Sequence, residues 1–200
     1  MQADIKHSLY EKVEIKMQRK VDLPLTNEKI ISLKAGDNLL LSGDIYTARD
    51  MAHKRMYEML ERGEKLPITL ENQVIYYVGP TPAKPNALIG SAGPTTSSRM
   101  DKYTPCLLNK GLKGMIGKGY RSREVVGAIK ENKAVYFVAI GGLGALIAKT
   151  IKSVEVVAFE DLGTEAIRKL TVKDFPVVVI NDAFGNDWYK EGQERHLLNE

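Results

Sequence analysis

The chain has 200 residues, 44% of them hydrophobic and 27% charged, a composition that supports a packed core and excludes a disordered or collagen-like chain. Its 29 basic and 25 acidic residues leave a net charge of +4, and no Lys/Arg-rich block or basic stripe interleaved with aromatics argues for nucleic acid. The single cysteine, Cys106, excludes an internal disulfide and any metal site made only of cysteines from one chain.

The first twenty or so residues are charged throughout and contain no apolar signal region. Within them Val13-Glu14-Ile15-Lys16-Met17 alternates as a strand does, either an edge strand or a partner-binding arm. We therefore read residues 1–22 as an N-terminal extension or edge strand and residues 23–200 as a single domain. Leu23-Pro24-Leu25-Thr26-Asn27 breaks into a helix with Ile30, Ile31 and Leu33 on its apolar side, ending at Lys34-Ala35-Gly36-Asp37. Asn38 to Tyr46 follows as a strand, with Gly43 a bulge or turn.

Thr47 is placed to cap a helix from Ala48 to Arg62 that stops at Gly63, burying Ala48, Met51, Ala52, Met56, Met59 and Leu60. Arg49 falls in the first turn on another face, where a cation opposes the helix dipole unless an anion binds nearby. His53, one turn on, reads as a solvated helix histidine. Gln73 to Val78 is a strand closed by Gly79-Pro80, and Thr81 to Gly90 is a loop long enough to cover a site.

Gly93-Pro94-Thr95-Thr96-Ser97-Ser98-Arg99 supplies N-cap residues for a helix running to Asn109, whose free N–H groups would face an anion with Arg99 one turn along. Cys106 within it reads as a small buried filler. After a short strand over Lys113–Ile116, Lys118 lies between two glycines, and Ser122 caps a helix to Asn132. On the residues alone, Thr95 serves as a cap, Arg99 as half of an ion pair and Lys118 as a turn residue.

Ala134 to Ile140 is continuously apolar, which places it as a central strand. The longest uncharged run, residues 134–148, has 15 residues broken by three glycines, too short to span a bilayer. Gly141-Gly142-Leu143-Gly144 fails the dinucleotide fingerprint, and the turn at Lys118 is not a Walker A loop. Val154–Phe159 and Phe175–Ile180 are strands around a short helix at Thr164–Leu170, and the tail from Asn186 is helical. Alternating strands and helices point to an α/β fold.

Three separated runs, SGDIYTARDMAHKR (Ser42–Arg55), GPTTSSRMDKY (Gly93–Tyr103) and GKGYRS (Gly117–Ser122), resemble the beta subunit of the class I, iron-sulfur-dependent fumarate hydratases and related tartrate dehydratases. The resemblance implies a three-layer β/β/α swivelling domain with a mixed sheet packed by helices, and a hydro-lyase interconverting fumarate and malate. It carries the substrate-binding roles to Arg49, Thr95, Arg99 and Lys118. Thr95 becomes the candidate base, with Thr96 the alternative if the register is shifted by one.

In the family the resemblance points to, the 4Fe-4S cluster belongs to a separate alpha subunit or domain; the resemblance thus implies that this chain is active only with an alpha subunit, in an alpha2-beta2 assembly. A cytoplasmic setting is expected, with no membrane and no nucleic acid as partners. Two alternatives stand beside this reading: the beta subunit of an L(+)-tartrate dehydratase, and a dicarboxylate-binding or regulatory module without catalysis.

Overall fold

The computed structural model describes residues 18–197 apart from 84, 86 and 140–143. The alternation at Val13–Met17 and the glycines 141 and 142 lie outside the described residues. Strand β1 (Arg19–Asp22) pairs in parallel with β2 (Asn38–Thr47). Strands β3 (Val74–Tyr76), β4 (Gly114–Gly117) and β5 (Val135–Val138) continue the parallel array from β2. The 15-residue β7 (Ile167–Asn181) then runs antiparallel to β5, to β2 and to β6 (Ile151–Ala158). Because β7 touches both β5 and β2, the order β1-β2-β3-β4-β5-β7-β6 closes on itself.

The central strands are buried on both faces, so their side chains divide between two cores. Val74, Tyr76, Ile116, Val135 and Phe137 point into the first, where they meet Leu39, Leu41 and Ile45 of β2 and Leu170, Val172, Phe175 and Val177 of β7. Ile75, Tyr77, Met115 and Tyr136 point into the second, beneath Ala52 and Met56 of α2 (Asp50–Glu61), Leu107 and Leu108 of α3 (Thr104–Asn109) and Val125 and Ile129 of α4 (Arg123–Glu131). This is the expected α/β arrangement of a mixed seven-stranded sheet packed by helices. Each such buried side chain contributes about 1.5–3 kcal/mol relative to exposure.

Three local readings are corrected. Thr47 does not cap α2: it ends β2, where its hydroxyl donates to the Ala166 carbonyl and accepts from the Arg168 amide. The helix starts at Asp50 with Arg49 in the N-cap position, and the Met51 amide donates to Glu165 Oε2 at 2.8 Å, so a distant carboxylate takes the capping role. As a result Met51 is exposed and not part of the core.

The single helix expected over 95–109 is broken into a 3-10 turn (Ser97–Met100) and α3. Pro105, at the start of α3, has no N–H to extend a helix arriving from Ser97. Finally, the short helix expected at Thr164–Leu170 lies earlier in the chain: a 3-10 helix over Glu160–Glu165 takes in only Thr164 and Glu165 of that stretch, and β7 begins at Ile167. Gly43 does mark a β-bulge, with the β2–β7 register shifting between Leu41 and Gly43.

Candidate functional site

The segments carrying Arg49, Thr95 and Lys118 leave the carboxyl ends of the adjacent parallel strands β2, β3 and β4. The carboxyl ends of parallel strands are where α/β sheets, open or closed, bind ligands. Arg49 lies across Gly79, and a Cβ built on that glycine would run into the guanidinium. The Arg49 Nη2 stands 3.6 Å from Asp50 Oδ2 and 3.7 Å from Glu165 Oε1. Both distances exceed a hydrogen bond, and Arg49 Nε and Asp50 Oδ2 are buried without a hydrogen-bond partner. The guanidinium therefore keeps donors free for an anion.

Arg99, in the 3-10 turn, reaches the same carboxylate at 3.4 Å, so Asp50 stands between the two arginines. Nearly half of the Arg99 side chain is exposed. The other two residues are tied together through the backbone: Thr96 and Lys118 form an isolated parallel bridge, with Lys118 N–H donating to Thr95 O at 3.2 Å and Ser97 N–H to Lys118 O at 3.0 Å. Lys118 is exposed and has no carboxylate partner among the described residues. Arg49 and Arg99 thus share Asp50, and Thr95 and Lys118 share a backbone hydrogen bond, at the same strand edge. That arrangement suits a ligand with two carboxylates, held by planar two-point contacts to Arg and a point contact to Lys.

The helix-end anion nest does not form. The amides of Thr95 and Ser97 are spent on Tyr77 O and Lys118 O. The Thr95 hydroxyl also donates to Tyr77 O at 3.0 Å, which fixes the oxygen and leaves its lone pairs as acceptors. Thr95 is partly buried while Thr96 is exposed and makes no capping bond. Of the two threonines, only Thr95 is held from behind.

His53 is another correction. It is fully buried, with Nδ1 at 2.9 Å from Arg49 O and its ring edge-on to Tyr77. Burial pushes its pKa down to about 4 and the nearby Arg121 adds to that, so the ring is neutral. Sequence reasoning placed it in solvent because helical periodicity puts it beside Arg49; what buries it is the 93–103 segment folding over α2. The same blindness applies to Asp50, Tyr77, Arg121 and Glu165, while Asp101, which the sequence offers as an ion-pair anchor for Arg99, pairs with Arg121 instead. Asp50 and Arg121 lie inside the motif runs and Tyr77 in the strand before Gly79-Pro80, but Glu165, which arrives from 114 residues away, had no such signal.

Fold and site together define an α/β domain that carries Arg49, Thr95, Arg99 and Lys118 at the carboxyl edge of its parallel strands. The chain belongs to the Fumarase C-terminus family, whose model matches residues 1–192. It is 36% identical over 181 residues to fumarate hydratase 2 of Leishmania major, covering 90% of this chain and 32% of that protein. It is 41% identical over 157 residues to the aerobic class I fumarate hydratase of Escherichia coli, covering 78% and 29% respectively. Against the putative L(+)-tartrate dehydratase subunit beta of Methanocaldococcus jannaschii it is 39% identical over 173 residues, 84% of this chain and 89% of that one. The chain thus spans about a third of the fumarate hydratases and most of the tartrate-type subunit.

Proposed function

We propose that this chain is the carboxylate-binding, proton-handling half of a hydro-lyase that adds water reversibly to fumarate to give malate. The observation that carries the reading is the convergence of Arg49, Thr95, Arg99 and Lys118 on one strand edge, in a family shared with named fumarate hydratases. Arg49 and Arg99 bind the two substrate carboxylates and Lys118 adds a point charge. As the proton leaves the carbon next to a carboxylate, negative charge builds on that carboxylate, and fixed cations stabilise it in the transition state. Thr95, whose hydroxyl donates to Tyr77 O in this structure, takes that proton only as its alkoxide, after passing its own hydrogen to a carboxylate supplied by the partner subunit, so that the C–H bond broken is replaced by the Thr95 O–H bond. A threonine is a weak base, and neighbouring cations favour its deprotonated form.

The family resemblance also implies a 4Fe-4S cluster, which would supply a Lewis acid to activate water. The residues present here do not fit one. Cys106 is the sole cysteine, its thiol is pushed up to about 11 chiefly by burial and donates to Tyr103 O, and no group of three potential metal ligands occurs among the described residues. We therefore place the cluster on a partner alpha subunit and route no step through this chain's cysteine. We take the pair to work in the cytoplasm as an alpha2-beta2 assembly; no helix among the described residues is long and apolar enough to cross a membrane.

A second reading, the beta subunit of a tartrate dehydratase, is favoured by the near full-length match to the Methanocaldococcus jannaschii protein. Anaerobic co-expression with a cysteine-bearing alpha subunit, cluster loading and parallel assays of fumarate, malate and tartrate separate the readings. Turnover of fumarate and malate well above tartrate is expected. Preferred turnover of tartrate selects the second reading, and a loaded complex inactive on all three leaves a dicarboxylate-binding module.

A further inference from the structure

Behind the exposed cations lies a buried one that they do not explain. The Arg121 side chain is 0% exposed and sits in GKGYRS, three residues beyond Lys118. Its Nε donates to Asp101 Oδ1 at 2.8 Å, its Nη2 to Thr104 Oγ1 at 2.7 Å and its Nη1 to the Tyr77 hydroxyl at 3.2 Å. The guanidinium also faces the Tyr77 and Tyr136 rings at 5.4 and 5.0 Å. The second Asp101 oxygen accepts the Ser122 amide at 2.7 Å, and Tyr136 hydroxyl donates to Gly119 O while sharing a hydrogen bond with Ser97 Oγ.

The hydrogen-bond partners in this network come from the GPTTSSRMDKY run and the Thr104 that follows it, from the GKGYRS run, from Tyr77 just after β3 and from Tyr136 of β5. Tyr77 is the telling one. Its hydroxyl takes Arg121 while its carbonyl takes both the amide and the hydroxyl of Thr95. Asp101 and Thr104 follow Arg99 directly, so fixing them fixes the turn that aims Arg99. Gly117 permits the two runs to meet, since a Cβ there would collide with Ser97 Oγ. An ordinary exposed Arg–Asp pair would do none of this and contributes little.

We propose that Arg121 is a positioning residue, whose planar fork locks Tyr77, Asp101 and Thr104 so that Thr95, Arg99 and Lys118 bear on one substrate. This deepens the hydro-lyase reading and rests on it for its catalytic consequence. A lysine would keep the charge but present point donors in place of three fixed directions. The expected signature is loss of alignment with binding retained, because the residues that touch the substrate are all still present.

The test is Arg121→Lys and Arg121→Met in the assembled, cluster-loaded complex, together with amide hydrogen exchange on the full chain. Arg121→Met should lower kcat about 10²-fold and Arg121→Lys less, with KM held within about threefold, as for a group acting mainly in the transition state. The amides of Thr95, Ser97 and Lys118 should lose protection while those of the β2–β7 ladder keep theirs. If Arg121→Met fails to fold, Arg121→Lys carries the test. An unchanged kcat in Arg121→Lys overturns the proposal, and so does a uniform loss of protection, which marks general stability. A wild-type complex that turns over no substrate defeats the hydro-lyase reading instead, and the exchange pattern then decides alone whether Arg121 aligns the two runs.

Discussion

The front and the rear of the strand edge use the same residue types in opposite ways. At the front, Arg49 and Arg99 stand only 3.6 and 3.4 Å from the shared Asp50 carboxylate, without a hydrogen bond to it, and Lys118 stands in solvent. At the rear, Arg121 is sealed from solvent and its three nitrogens all donate to close partners. Leaving a buried charge unpaired is expensive, so the rear arginine is paired and immobile. Cations at a partly open edge bear that penalty lightly and stay available. On the proposed function, the contrast separates residues that bind substrate from a residue that aligns them.

The sharpest way to break this contrast is to remove the front cations. Arg99→Ala or Lys118→Ala should cost about 10³-fold in kcat/KM, comparable to losing a principal charge-stabilising donor, yet leave thermal unfolding almost unchanged because neither side chain is buried. A thermal shift as large as that of a core deletion would show that these residues hold the fold.

Next in size is Thr95→Val, expected to lower kcat by about 10²-fold, the scale of general acid–base catalysis, with a smaller rise in KM. If Thr96→Val gives that pattern in its place, the base is the neighbouring threonine.

Gly79→Ala sharpens the front alone, because the added methyl lands where the Arg49 guanidinium lies. We expect KM to rise about tenfold, a change of roughly 1.4 kcal/mol in binding, while amide exchange around Arg121 stays as in wild type. Steady-state kinetics and exchange on the same preparation check both halves.

The smallest effect concerns His53, held neutral at about 4 against an ordinary 6.5. Between those values the unfolded chain takes up a proton that the folded chain refuses. Its contribution is therefore fully present above pH 6.5 and is lost as pH falls toward 4, by about 1 kcal/mol over the first unit. Denaturant unfolding of wild type and His53→Gln at pH 7 and 5.5 reads it. The pH dependence should shrink in the variant, and equal slopes would show that another group is responsible.

Much of the front was legible in the chain. Gly-Pro and Gly-Lys-Gly punctuation marks strand ends, and a cation at the start of a helix is a local anomaly that one sequence displays. The covered, central position of β5 was equally readable from its continuous apolar run. The rear was not, because its meaning is tertiary: Arg121 and Asp101 are 20 residues apart and look like ordinary surface charges until Tyr77 and Tyr136 close around them. The broken helix at Ser97–Asn109 was missed by reading caps without weighing Pro105. The Thr164–Leu170 error came from short-range polarity in a stretch whose strand character is imposed by pairing with β2 and β6.

The central claim is that this chain supplies the carboxylate-binding half of a two-part site, and complementation tests it most directly. A cluster-loaded alpha subunit would be mixed anaerobically with this chain, either wild type or Arg99→Ala, while complex formation and fumarate hydration are followed on the same sample. We expect both chains to join the complex and only the wild type to restore turnover. Equal turnover with Arg99→Ala, or full turnover by the alpha subunit alone, would contradict the claim.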